Sequence, residues 1–300
     1  MTLPSPAMYP LTSAKLPRIR SREIEQSDVP AVDALLTRGF RSRPARFWSE
    51  LFNCLRDRET PPELPKYGYL LETDGGAVAG AILLIFSARP DHEAGIRCNV
   101  SSWFVEPAFR SYASLLVSKA LRHRSVTYVN ITPAPHTLPI LTAHGYVQYS
   151  KGVFVTLPAI RYGSRGARVL AVNASGARPA GLDEYESRLL LDHARYGCIS
   201  LLCRDLNQTY SFVFRPRAYK SVPCAQLVYC RDLDQFVRFA GPIGRFLAVH
   251  GRPLVVLDSN GPIPGLIGKF FDGRMPKYFK GPDRPRLGDL AYTEVAMFGM

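Results

Sequence analysis

The side chains able to do chemistry cluster in a few short stretches. Asp258-Ser259-Asn260 sets three polar residues at the end of an apolar run, Leu254 to Leu257. Polar groups at the carboxyl ends of strands are where α/β folds hold ligands, and turn chemistry explains the same trio equally well. Gly261 to Gly268 (GPIPGLIG) follows it. A glycine-rich loop can cradle phosphate, but this one lacks the GxxxxGK[ST] pattern and its prolines remove donors, so a plain loop is expected. Lys277 to Arg286 (KYFKGPDRPR) mixes basic and aromatic residues and suits either a solvated loop or an anionic ligand. Cysteines 54, 98, 198, 203, 224 and 230 have no metal-site spacing, which points to free thiols in a reduced compartment and to no bound metal. The sequence contains no Gly-x-Ser-x-Gly, no His-Glu-x-x-His and no calcium-loop spacing.

The elements that must position such residues alternate between the helix and strand periods. A strand over 18–24 leads to a helix opened by Asp28 and Pro30, with Val32, Leu35 and Leu36 on one face and Gly39 as its stop. Arg46 to Arg56 (RFWSELFNCLR) is a second helix. Tyr67 to Thr73 and Ala77 to Phe86 make a hairpin around Asp74-Gly75-Gly76, whose glycines supply the positive backbone angles of a tight turn. The second hairpin strand is apolar almost throughout, as for a strand buried on both faces. There follow a strand at 96–105, a helix at 110–122, a strand at 126–131, a short helix at 135–144 and a strand at 146–156. Residues 157–180 are rich in Gly, Ala, Arg and Pro and read as a boundary carrying one strand at 167–172. Beyond it the order repeats: a helix at 183–195, a hairpin of 198–203 with 210–214, a strand at 226–230, a helix at 232–249 and a strand at 254–257. A short helix at 266–271 and a final strand at 291–298 complete the expectation.

Three stretches of the first half carry a family resemblance. LLETDGGAVAGAILL is the hairpin; WFVEPAFRSYASLLVSKAL is a strand ending in Val-x-Pro, an Arg three positions on, then a helix with a Leu-Leu pair; PAPHTLPILTAHGY closes on Gly145-Tyr146. This pattern, over about residues 18–156, resembles the GNAT (Gcn5-related N-acetyltransferase) superfamily; residues 180–300 resemble it in element order alone. The resemblance implies an α/β fold (a mixed, α+β sheet) in two tandem GNAT-like acyltransferase domains: 1–157 with the coenzyme A motif, a linker at 158–180, and a divergent copy at 181–300.

The resemblance also implies acetyl-CoA or another acyl-CoA as donor. A helix N-terminus offers its pyrophosphate unpaired N–H groups and the positive end of the dipole. In the family motif, Arg/Gln-x-x-Gly-x-Gly/Ala, Arg110 takes the Arg position, Ala113 the first Gly and Leu115 the Gly/Ala position. Cofactor contacts are thereby expected along Arg110, Ser111, Tyr112, Ala113, Ser114 and Leu115, and along the backbone of Trp103, Phe104 and Val105. Leu115 departs from the motif in size. Leu141 stands where many members carry the Tyr that protonates the departing thiolate, so the expected acid passes to His136 or Tyr146, with His144 and Tyr149 nearby. Glu106 is the candidate base for an amine; as a helix N-terminal acid it has a structural reason to be there as well.

Composition sets the outer limits. The chain has 300 residues, 46% hydrophobic and 21% charged, which argues against disorder. No apolar run approaches the roughly 20 residues of a membrane span, and the opening MTLPSPAMYPLTSAKLPRIRSRE has no apolar core, so a cytoplasmic protein is expected. The net charge of +13 is dispersed, without a run of like charges. Nucleic-acid recognition signatures are absent. The sequence thus points to an acyl-CoA-dependent acyltransferase of bacterial type that moves an acetyl or longer acyl group directly to an amine or hydroxyl of a small-molecule or protein acceptor. The alternative is a non-catalytic GNAT-like module that binds CoA or a protein partner.

Overall fold

The computed structural model describes residues 18–90, 95–162, 166–206, 208–219 and 221–299. The first half contains β1 (Ile19–Glu23), α1 (Val29–Gly39), α2 (Phe47–Asp57), β2 (Gly68–Thr73), β3 (Val78–Ala88), β4 (Ile96–Val105), α3 (Ala113–Ala120), β5 (Thr127–Asn130), α4 (Leu138–Ala143) and β6 (Val147–Thr156). A 3-10 turn, Pro107–Tyr112, joins β4 to α3. The apolar run of β3 is buried on both faces, as its composition requires.

The second half contains β7 (Arg168–Val172), α5 (Glu184–Arg195), β8 (Ile199–Asp205), β9 (Gln208–Tyr219), β10 (Val222–Cys230), α6 (Leu233–Val249), β11 (Leu254–Ser259), β12 (Gly268–Lys280) and α7 (Glu294–Phe298). β7 lies within the expected linker, whose Gly163 to Arg165 fall outside the described residues. Two expectations for the end of the chain fail. Residues 266–271 are not a helix: from Gly268 onward they begin β12, whose last four residues, 277–280, open the basic stretch 277–286; the rest of that stretch is loop. Residues 291–298 are not a strand: Thr293 opens α7 and Gly299, at φ +71°, ends it. Both are short apolar runs, too brief for periodicity to separate helix from strand, and tertiary partners decided them.

The twelve strands among the described residues form one sheet in the order β1-β2-β3-β4-β5-β12-β6-β11-β10-β9-β8-β7. β4–β5 and β10–β11 pair parallel, and the other described neighbours pair antiparallel. Matching β1–β6 with β7–β12 in sequence order, the sheet reads the same from either edge. Each half gives its last strand to the centre: β12 sits between β5 and β6, and β6 sits between β12 and β11. The central strands approach closely where glycines permit it. A Cβ on Gly152 would lie 2.2 Å from the Phe271 carbonyl oxygen, and one on Gly268 would lie 2.1 Å from that of Val155.

Helices cover both faces. α3 and α4 pack over Leu84, Phe86, Cys98 and Tyr128 on one face of the first half, while α1 and α2 cover Leu70, Ala81, Leu83 and Ile85 on the other. In the second half α6 covers Phe212, Phe214, Leu227 and Leu257, and α5 covers Leu202, Val213 and Val228. α7 bridges the halves: Met297 joins the α1–α2 cluster, while Val295 and Ala296 join the α5 cluster. No helix among the described residues is long and apolar enough to cross a membrane.

Candidate active site

β4 and β5 pair only from Arg97↔Thr127 to Asn99↔Val129. β4 then continues to Val105 along β3, while β5 ends at Asn130, paired along its other edge with β12. The two parallel strands therefore splay apart beyond Asn99, a feature the sequence could not display. A cavity of about 230 Å³ occupies the splay. On one side it is walled by Val117, Ala120 and Leu121 of the α3 segment and by His136, Ile140, Leu141, His144 and Tyr146 around α4. Its floor is Val100 to Trp103 with Asn130 and Thr132, and its far end is closed by Phe40, Arg43, Trp48 and Glu294.

Of the expected catalytic residues, His136 and Tyr146 line this cavity and Glu106 does not. Glu106 accepts a 2.7 Å bond from Arg38 in a partly exposed ion pair beside the turn that follows β4. Burial pushes the Tyr146 phenol well above its ordinary range, so it stays protonated and can donate but not act as a base. His144 is lowered by burial and by the Lys280 ammonium, and so is neutral near pH 7. Lys280 donates to the His144 carbonyl at 2.6 Å. Tyr149 is buried away from the cavity, its ring against Phe279.

Among the expected cofactor contacts, Trp103 lines the cavity. Phe104 points to the opposite face, against Gly39 and Phe40, and Val105 is buried in the core. Arg110, Ser111, Ser114 and Leu115 are exposed on the turn and first residues of α3, while Tyr112 and Ala113 pack against the core. The Ala113 N–H already bonds the Arg110 carbonyl, so the turn is closed on itself where the family motif has glycine.

The most deeply buried charged group in the cavity lining is one that sequence reasoning missed. Glu294 is 2% exposed. Its carboxylate accepts from the hydroxyls of Ser101 and Thr132, and its N–H donates to Asn99 Oδ1 at 2.7 Å. Burial raises its pKa against the opposing pull of the Ser101 and Thr132 donors and of Arg43. It is the one carboxyl among the described residues that line the cavity. The indole N–H groups of Trp48 and Trp103, both in the lining, have no hydrogen-bond partner among the described residues. A buried donor left unpaired costs about 1–3 kcal/mol, so the two indoles are a local cost carried by the walls of the cavity.

A buried ion cluster holds the C-terminal segment that delivers Glu294. Arg89 pairs with Asp289 through both nitrogens. Arg97 lies 3.3 Å from the same carboxylate and also donates to the Asp289 and Ala291 carbonyls. Burial opposes the Asp289 charge, but the guanidiniums of Arg89 and Arg97 outweigh it and hold the carboxyl far below its usual range. His193 adds a second anchor: its Nδ1 meets the Leu189 carbonyl at 2.7 Å and its Nε2 accepts the Tyr292 N–H at 3.1 Å.

The equivalent splay of the second half is filled by the chain itself. β10 and β11 pair from Cys224↔Leu254 to Gln226↔Val256, and beyond that residues 288–290 lie along β10. The Cys230 N–H donates to the Gly288 carbonyl at 2.9 Å, and the Leu290 N–H donates to the Val228 carbonyl at 2.7 Å. By the register of the parallel pairs, Val228 and Cys230 match Ser101 and Trp103 of β4. The amino end of α6 is closed as well: Asp232 caps it and Asp234 lies in its first turn, a charge arrangement that repels phosphate.

The other sequence candidates have structural partners. Asp258 forms a buried 2.6 Å pair with Lys277. Asn260 bonds Lys151 N–H and the Tyr149 carbonyl, and Ser259 closes a turn onto Gly261. The trio is therefore turn and anchor chemistry. The six cysteines are free thiols, five of them buried.

Comparison with solved structures returns GCN5-related N-acetyltransferases. One from Anabaena variabilis matches with a TM-score of 0.56 and 14% identity, covering 87% of this chain and 72% of its own. One from Kribbella flavida has a TM-score of 0.54 at 12% identity over 88% of this chain and 71% of its own. A GCN5-related glucosamine N-acetyltransferase region of a fungal multi-domain β-N-acetylglucosaminidase has a TM-score of 0.54 at 10% identity, over 89% of this chain and 38% of that one. No protein-family model matches the sequence, and no curated protein matches it.

Proposed function

On the premise that this chain has the fold of the GCN5-related N-acetyltransferases, we propose that it is an acyl-CoA-dependent N-acyltransferase with tandem GNAT-like halves and a single working site, in the first half. The observation that carries this reading is the cavity through the β4–β5 splay, open in the first half where the second is filled.

An acyl-CoA would supply the activated thioester. Its thioester arm would lie along β4 as residues 288–290 lie along β10, with the Ser101 carbonyl and the Trp103 N–H in the places of Val228 and Cys230. The Trp103 amide is then the donor aimed at an acyl or pantetheine carbonyl, a shift from the Val105 region expected from sequence. Tyr146, kept protonated by burial, would donate toward the leaving sulfur, with neutral His144 and, in the same wall, His136. The acceptor would enter from the α1–α2 side, between Phe40 and Trp48. Holding it against the thioester supplies much of the acceleration without a covalent enzyme intermediate.

The closed turn at Ala113 favours a second reading, a CoA-binding or partner-binding module without catalysis. Thermal unfolding with acetyl-CoA, CoA and ATP separates these. A ligand at 100 times its Kd adds about 2.7 kcal/mol, or about 5 °C for a chain of this size. The expected result is a shift with CoA species, none with ATP, and loss of the shift in Ser111→Glu, which sets a charge beside the pyrophosphate. No shift in the folded wild type would overturn the acyltransferase reading; a shift without thiol release from acetyl-CoA in the presence of any acceptor would favour the second.

A further inference from the structure

We propose that Glu294, delivered from the C-terminal helix, is the catalytic residue that receives the acceptor amine in this cavity and takes its proton. The inference rests on the acyltransferase reading and adds to it the acceptor class: a primary amine on an apolar skeleton. Glu294 is the one carboxyl among the described residues of the lining, it is buried, and it lies beyond the β4 floor from the α3–α4 wall. The apolar surfaces that share that end of the lining are Phe40 and Trp48, which suit a hydrocarbon or aromatic body. Ser101 and Thr132 donate to its two oxygens and fix the carboxylate plane, while each oxygen keeps a lone pair for a further donor. A bound ammonium would stabilise this buried carboxylate, whose described side-chain hydrogen bonds come from two neutral hydroxyls.

Arg43, on the loop before α2, is the cation that reaches Glu294 electrically. Its guanidinium lies 4.9 Å over the Phe47 ring. From the opposite wall the titratable groups are His136, His144 and Tyr146, and from β4 and the segment after β5 only the neutral Ser101 and Thr132 face the carboxylate. Burial raises Glu294 toward the pH at which a base for an ammonium works best.

The proton and bond changes balance without another reactant. Glu294 takes one proton from the ammonium, freeing the nitrogen lone pair. That pair forms the C–N bond at the thioester carbonyl carbon, and the C–S bond breaks with its electrons going to sulfur. The thiolate takes the second proton lost from nitrogen, with Tyr146 as the nearby donor that can relay it. Glu294 then returns its proton to solvent.

The test uses the full chain, with acetyl-CoA as donor and phenethylamine, tryptamine and octylamine as probes, read by thiol release. Wild type is expected to acylate at least one amine, with a rate that rises with pH to a plateau. Glu294→Gln should keep the wild-type acetyl-CoA thermal shift and lose about 100-fold or more in rate, and Glu294→Asp should recover part of it. If Glu294→Gln does not fold, Thr132→Val reads the same contact: one donor fewer raises the carboxylate pKa and moves the acidic limb of the profile to higher pH. An acetyl-CoA shift in wild type without turnover of any primary amine would overturn the amine assignment. Turnover by Glu294→Gln within threefold of wild type, or an unmoved limb in Thr132→Val, would overturn the role of Glu294. No acetyl-CoA shift in wild type would remove the parent reading itself, and this inference with it.

Discussion

Asp289 sits where two buried arginines, Arg89 just after β3 and Arg97 in β4, converge on a segment almost two hundred residues later in the chain. Replacing it with Asn strands both guanidiniums in the core, so Asp289→Asn is expected to cost about 3–5 kcal/mol in urea unfolding; a loss under 1 kcal/mol would contradict the anchoring role. His193 gives the same segment a pH dependence. Burial pushes its pKa down to about 4, while the unfolded chain keeps a value near 6.5. The folded state must hold the ring neutral while the unfolded state binds a proton, so stability is full above about pH 6.5 and falls as pH drops toward 4, by about 3 kcal/mol in all. In His193→Gln that portion of the slope should vanish although the variant is weaker throughout. Nothing at residue level in the sequence marks these roles. Glu294 and Asp289 read as ordinary acids near the end of the chain, because the partners that define them belong to β4 and the segments after β3 and β5.

At the scale of elements the sequence was informative wherever a local rule decides. The helix of α1 is legible in Pro30 at its first turn and in Val32, Leu35 and Leu36; the β2–β3 hairpin is legible in Asp74-Gly75-Gly76. The helix walls of the cavity and the strand on its floor follow from such rules, and His136, Tyr146 and Trp103 lie in its lining. The splay was not legible, since it depends on where a ladder stops, and β12 and α7 were assigned the wrong type for lack of a long period. The filled splay of the second half leads to an element-level expectation: calorimetric titration with acetyl-CoA should saturate at one per chain. A stoichiometry of two would mean that residues 288–290 leave β10 and open a second site. Gly152 and Gly268 test the central pairing, because an added Cβ meets backbone rather than a flexible side chain. Gly152→Val is expected to cost more than about 2 kcal/mol, or to prevent soluble expression.

For the molecule as a whole, the exchange of β6 and β12 makes the halves interdependent. Residues 1–157 by themselves leave β6 without either of its neighbours, β11 and β12, and leave the α1–α2 cluster without Met297. The isolated fragment is expected to be unfolded by circular dichroism and to recover structure when co-expressed with residues 158–300. A cooperative unfolding transition from the fragment alone would show that the first half folds as its own domain. Protease cleavage within 157–180 of the intact protein is compatible with the fold, but the two pieces should stay together through the central strands.

The central position of β12 also bears on biosynthesis. A ribosome works from the amino end at about 5–20 residues per second, so β5 and β6 emerge long before the strand that belongs between them. Until Lys280 has left the exit tunnel, the nascent chain carries two unpaired strand edges, the arrangement most prone to pair with a neighbour. Its closing contacts are also among the most distant in sequence, which slows the search for them. The first half thus cannot complete its sheet before residues 268–280 have been made, and a chain truncated ahead of Gly268 would have a sheet with no middle.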